Sequence, residues 1–293
     1  MIINEFRKNL DKNLTKKFTI FGQNITFGSR ISGLTNNIKK EKYLGVYNTQ
    51  NSESTLVGFG LGLMLNNRNS IYFAKQLDFM LLAFDHFVST YNYILFRKKL
   101  GSFSIITYIV DSGYEGPQSR LHNLQEISSL SFVECYYLIF PGDIEINLKK
   151  IKKHTFKIFC LSQKNSRLKS NPTLINYYKD YDLFQYKEGK KGSIISIGFA
   201  SYKAYEIIEK KDLDVNFYVL TNPIKTIPIH LIKKILKGKF LYIFDDSRSR
   251  IKNFDYLYDY IKTKKKNFKI KKFFREESKK KLYVNKDDYD PII

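Results

Sequence analysis

The sequence predicts an α/β fold in two units. Three observations carry that expectation. Apolar runs of strand length, such as Phe103 to Val110 and Phe240 to Phe244, alternate with segments of helical spacing. The alternation occurs on both sides of a polar stretch from about 161 to 191, QKNSRLKSNP and later YKEGKKG, rich in Lys, Asn and Ser. With 293 residues, 43% of them hydrophobic and 16% aromatic, each unit can build its own core. The units are read as 1–165 and 192–293, with 166–191 as a linker.

The elements follow in order. Phe6, Leu10 and Leu14 fall at helical spacing, and Phe18 to Phe21 form a short apolar strand ending at Gly22. Gly58, Gly60 and Gly62 interrupt an apolar helix, a cost in propensity that close approach of another group would offset. A strand over 70–74, a helix over 79–96 and a strand over 103–110 come next. The loop DSGYEGPQSRLHN then leads to a helix over 124–130 and a strand over 136–140 closed by Pro141 and Gly142. The second unit opens with a strand over 193–197, turns at Gly198 and enters a helix over 201–209. A strand at 216–220, a helix at 229–236 and a strand at 240–244 complete it. Such alternation argues for mostly parallel sheets covered on both faces.

Composition narrows the class of function. The 50 basic and 28 acidic residues give a net charge of +22, which would ordinarily raise nucleic acid or an anionic membrane as partner. Lys is instead spread along the chain beside abundant Asn, Ile and Tyr, and no nucleic-acid-binding motif accompanies it; neither partner is expected. The lysine-rich run from Lys262 to Lys281 reads as a solvated face or loop. Cys135 and Cys160 lie in apolar runs without metal-ligand spacing and are expected to be buried free thiols. No signal-peptide pattern opens the chain, and the apolar stretch Leu56 to Leu65 is shorter than the roughly 20 residues of a membrane span. A cytoplasmic location is expected.

Asn51-Ser52-Glu53 stands immediately before the glycine-spaced helix, and Phe79, preceded by Asp78, lies 26 residues after Glu53 and leads into Leu82-Ala83-Phe84-Asp85. The loop from Gly113 to His122 and the strand-closing Pro141 complete the pattern. This stretch resembles the beta subunit of thiamine-diphosphate-dependent 2-oxoacid dehydrogenases (E1), in the transketolase-like pyrimidine-binding family. There an Ile-Ser-Glu segment precedes the corresponding helix. The resemblance is specific over 51–141, fair over 18–50 and 192–244, and poor beyond. It implies a pyrimidine-binding domain followed by a transketolase C-terminal-like domain. It also implies that Glu53 activates the cofactor's aminopyrimidine, that Phe79 packs on that ring, and that His122 faces the substrate. On their own, a Glu at a helix start complements the macrodipole, and a Phe at a strand-to-helix junction is a core residue. Phe21-Gly22-Gln23-Asn24-Ile25 resembles the family's Gly-Glu-Asp-Val turn, with Gln23 and Asn24 in place of both acids.

Thiamine diphosphate also needs Mg²⁺ on hard oxygen ligands, supplied in the family by a Gly-Asp-Gly segment and a later Asn. Here Gly142-Asp143 runs into Ile144, and no metal ligand is assigned. The resemblance therefore implies an alpha-like partner that holds the diphosphate and Mg²⁺, in an alpha2-beta2 assembly. The expected activity is 2-oxoacid decarboxylation and acyl transfer. Ketol transfer between sugars, or a diverged subunit that keeps contacts without turnover, are the alternatives.

Overall fold

The computed structural model describes residues 1–111, 124–247, 252–264 and 268–274. Two six-stranded sheets organise them. The first holds β1 (Phe18–Gly22), β2 (Gly45–Asn48), β3 (Asn69–Gln76), β4 (Phe103–Ile109), β5 (Glu134–Leu138) and β6 (Phe156–Ser162) in the order β2-β1-β3-β4-β6-β5. All its pairings are parallel. β4 and β6 are buried along their whole length, as continuous apolar runs in a sheet covered on both faces should be.

Helix α1 (Ile2–Asn13) buries Phe6 and Leu10 and sends the chain into β1. Helix α2 (Glu53–Leu65) follows β2. Its glycines differ in surroundings: a Cβ on Gly60 would lie 2.2 Å from the Phe103 ring, whereas one on Gly62 would meet nothing within 4 Å. The first glycine admits a packed aromatic, and the second faces outward beside exposed Phe59 and Leu65. The helix expected over 79–96 is broken into a 3₁₀ segment (Leu77–Ala83), a π turn (His86–Thr90) and the short α3 (Tyr91–Ile94). This arrangement leaves Leu81, Leu82, Tyr93 and Phe96 exposed. Helix α4 (Leu124–Leu130) precedes β5, and α5 (Pro141–Leu148) follows it, so Pro141 starts a helix as well as closing a strand. Both cysteines are buried free thiols.

The second sheet is built from β7 (Asn176–Tyr178), β8 (Leu183–Lys187), β9 (Gly192–Ile197), β10 (Val215–Leu220), β11 (Phe240–Asp245) and β12 (Lys269–Phe274), in the order β12-β11-β9-β10-β8-β7. β7 and β8 occupy the stretch read as a linker; β8 runs antiparallel to β10 and β7 antiparallel to β8. The lysine-rich run contains the last turn of α8 (Asp255–Lys264) and the edge strand β12. Lysine on an edge strand discourages further pairing, so charge and strand coexist there. Helices α6 (Ala200–Lys210) and α7 (Ile229–Ile235) lie where the sequence places them.

Buried polar contacts join the two sheets. Tyr202 Oη donates to the Ile139 carbonyl at 2.6 Å, and Asn147 Nδ2 to Thr221 Oγ1 at 3.1 Å. The Asp143 carboxylate accepts from the Tyr186 hydroxyl at 2.9 Å, and Lys150 forms a buried ion pair with Asp182. No described helix is long and apolar enough to cross a membrane.

Candidate active site

In an open parallel sheet, ligands bind outside the carboxyl ends of the strands, where the chain order reverses. In the first sheet that point lies between β1 and β3, because β2 extends the sheet to one side of β1 and β3 to the other. The parallel register sets Gly22 opposite Asn48 on one side and Phe73 on the other. Three segments meet at this edge: the turn after β1, the connection from β2 to α2, and the 3₁₀ segment after β3.

Glu53 stands at this edge as the first residue of α2, with Ser52 as N-cap. It is buried, at 5% exposure, in a helix that is apolar nearly throughout. Tyr72 on β3 lies close enough that the Glu53 charge, after burial, is the second cause pushing the Tyr72 phenol well up. Tyr72 in turn stacks on Phe21, with ring centroids 5.5 Å apart and planes within 3°. Phe21 meets Phe59 of α2 edge to face at 5.1 Å, so aromatic contacts tie β1, β3 and α2 together.

Phe79 lies in the 3₁₀ segment that packs against α2. It is half-buried and touches the core, with part of its ring surface uncovered. The fold thus brings the elements carrying Glu53 and Phe79 together. His122, expected at the mouth of the same site, lies outside the described residues. Gln23 is exposed and Asn24 takes a positive φ of 53°, and Asn48 Oδ1 holds this turn by accepting from the Ile25 amide at 2.8 Å.

Sequence reasoning passed over Thr49 and Tyr72. Thr49 lies in the connection leading to Glu53; its Oγ1 is buried and has no hydrogen-bond partner among the described residues. An orphaned buried hydroxyl is costly unless something supplies its partner. No sequence signal marks it, whereas Tyr72 is one phenol in the otherwise apolar core of β3. A buried carboxyl, an orphaned hydroxyl and a partly bare aromatic ring at one sheet edge are a donor set that fits a flat, nitrogen-bearing heteroaromatic. Among the described residues no group of three or more His, Cys, Asp or Glu could hold a metal ion.

A separate cavity of about 740 Å³ opens between the two sheets. Asp111, Lys164 and Asn165 line it from the first unit, and Phe199, Ala200 and Asp246 line it from the switch point of the second. Asp111 ties β4 to β6, accepting from the Lys164 amide at 2.8 Å and from the Ser162 hydroxyl. Neither Glu53 nor Phe79 lines this cavity.

No protein-family model and no curated protein sequence matches the chain. Among solved structures, a split-gene transketolase described as an inactive beta4 tetramer is similar to it, with a TM-score of 0.65 and 14% identity. The similarity covers 94% of this chain and 89% of that one. The two α/β domains of the chain therefore share the fold of that transketolase subunit.

Proposed function

We propose that the chain is the pyrimidine-binding subunit of a split thiamine-diphosphate-dependent enzyme. The observation that carries the reading is the position of Glu53: a buried carboxyl at the first turn of α2, at the carboxyl edge of a parallel sheet, packed beside the segment that bears Phe79. The cofactor, when bound, supplies the carbanion that attacks a keto carbon and carries the resulting fragment. Glu53 presents its carboxyl to a ring nitrogen of the aminopyrimidine, where a hydrogen bond fixes the tautomer needed for cofactor activation. Phe79 offers a ring face to the same heterocycle, and Thr49 offers a hydroxyl beside it. Phe21 and Tyr72, both buried and stacked on each other, fix β1 against β3 beside the helix that carries Glu53. His122 is assigned to the substrate side. Mg²⁺ and the diphosphate fall to an alpha-like partner in an alpha2-beta2 assembly.

The substrate proposed first is a 2-oxoacid, decarboxylated with acyl transfer, because the motif around Glu53 and Phe79 resembles that of E1 beta subunits. Ketol transfer is the second reading, favoured by the split-gene transketolase among the structural neighbours. The test is to co-express the chain with an alpha-like, diphosphate-binding chain and measure cofactor and Mg²⁺ binding. Turnover is then assayed on 2-oxoacid and ketose donors. Cofactor binding that needs both chains is expected, with Glu53→Gln lowering turnover by about 100-fold or more. Turnover unchanged by Glu53→Gln would sink the mechanism. Cofactor binding without turnover on either donor would replace it with a non-catalytic subunit, for which the exchanged acids at Gln23 and Asn24 would be the first residues to revert.

A further inference from the structure

A second, smaller pocket lies at the opposite edge of the second sheet, where β9 and β11 begin and no thiamine chemistry is assigned. Its volume is about 310 Å³, and Lys190, Lys234, Lys237, Asn216 and Tyr218 line it, with Gly189 and Gly238 at its rim. The rim is built by close backbone approach. A Cβ on Gly189 would fall 2.2 Å from the Val215 amide nitrogen, and one on Gly238 would fall 2.4 Å from the Gly192 Cα. Asn216 fixes the first of these turns through its Nδ2, which donates to the Gly189 carbonyl at 2.8 Å.

The floor carries the informative group. Tyr218 lines the pocket and is only 1% exposed, and its buried hydroxyl has no hydrogen-bond partner among the described residues. Burial pushes this phenol well up, so it remains a donor. A buried donor left unpaired costs free energy, and a fold that keeps one beside an open pocket leaves it for a ligand atom. Lys190, Lys234 and Lys237 surround the mouth; the Lys234 ammonium also donates to the Tyr178 hydroxyl at 2.7 Å, which anchors it there. After burial, Tyr178 and Glu188 are the groups whose charge reaches Tyr218, and Asp214 Oδ1 accepts from the Lys190 amide at 3.0 Å, so the three lysines of the lining stand against two nearby carboxylates.

We propose that this pocket binds a small phosphate monoester, its dianion held by Lys190, Lys234 and Lys237 and one oxygen accepting from the Tyr218 hydroxyl. Three cations and a neutral donor match a multiply charged oxyanion better than a lone carboxylate. The volume exceeds what a phosphate alone fills, leaving space for the organic part. The site is independent of the thiamine reading and stands or falls by its own test.

That test is isothermal titration calorimetry of the purified chain with ribose 5-phosphate, inorganic phosphate and ribose, in about 150 mM salt to screen diffuse attraction. Saturable binding of ribose 5-phosphate, weaker binding of phosphate and none of ribose are expected. Tyr218→Phe should weaken binding by roughly threefold to tenfold while raising the melting temperature of the free chain, because it removes an unpaired buried hydroxyl. The double variant Lys234→Met, Lys237→Met should weaken it by more than about tenfold. The control Lys39→Met, Lys40→Met, at exposed positions elsewhere, should leave affinity unchanged. Absence of saturable binding overturns the proposal, as does equal loss in the pocket and control variants. Equal affinity for phosphate and its ester overturns the ester and assigns the site to free phosphate.

Discussion

Two buried ionisable side chains outside the candidate site set opposite dependences on pH. Asp143 accepts from the amides of Ile139 and Phe140 at 2.8 and 2.7 Å, and burial raises its carboxyl to about 7. The folded chain therefore keeps a proton that the unfolded chain has lost, and this term lowers stability as pH rises from about 4 to about 7. Lys157 is fully buried, donates to the carbonyls of Lys153 and Thr155, and is pushed down to about 7. There the unfolded chain holds the extra proton, so this term raises stability from about pH 7 to about 10. Urea unfolding across pH should show Asp143→Asn flattening the acid limb and Lys157→Met flattening the alkaline limb. Unchanged slopes in both variants would mean that neither group titrates as assigned. Neither residue was legible in the sequence, because a charge inside an apolar run such as FKIFCLS looks the same whether its end reaches water or a ring of carbonyls. Glu53 stood out in the sequence only through the motif around it; that it is buried is visible only in the fold.

At the scale of elements, the glycines of α2 separate into two kinds. Gly60→Ala would drive a methyl group into the ring of Phe103, itself stacked on Phe156 at 4.7 Å, and should cost about 1–3 kcal/mol. Gly62→Ala meets open space and should stabilise the isolated chain by up to about 1 kcal/mol through helix propensity. Thermal melts of the two variants should move in opposite directions; if both fall, the outward face of α2 is already covered in the isolated chain. The sequence predicted close approach on this helix correctly for Gly60 and had no means to tell it from Gly62. It also missed the edge strand β7 and its neighbour β8, because these strands are only three and five residues long and lie within a polar, lysine- and asparagine-rich stretch. The helix over 79–96 was expected as one piece because its apolar spacing is nearly continuous; the 3₁₀ and π segments within it are departures that spacing does not encode.

Across the whole molecule, the contacts between the sheets decide how the chain unfolds. Asp182 is buried, and Tyr177, Asn222 and Lys150 all hydrogen-bond to it. Lys150 also lies 4.1 Å from the centre of the Tyr136 ring. Removing one partner, as in Lys150→Ala, leaves a buried charge unpaired and should cost roughly 3–5 kcal/mol. Lys150→Met with Asp182→Asn should recover much of that loss. Calorimetry should show one transition for the parent chain and two for Lys150→Ala; a single transition in both would place the coupling elsewhere in the interface. The two-unit architecture was readable from alternating periodicity, but this clasp was not, since its members are 32 residues apart in the chain and meet only after both sheets form.

The first unit also leaves Phe59, Leu65, Leu81, Leu82, Tyr93 and Phe96 uncovered, while the chain carries a net charge of +22. Like charge keeps copies of such a chain apart in dilute buffer, and dissolved salt weakens that repulsion more than it weakens apolar attraction. Handling the chain alone is then a colloidal problem: light scattering should rise with added sodium chloride, and Phe59→Glu should delay the rise.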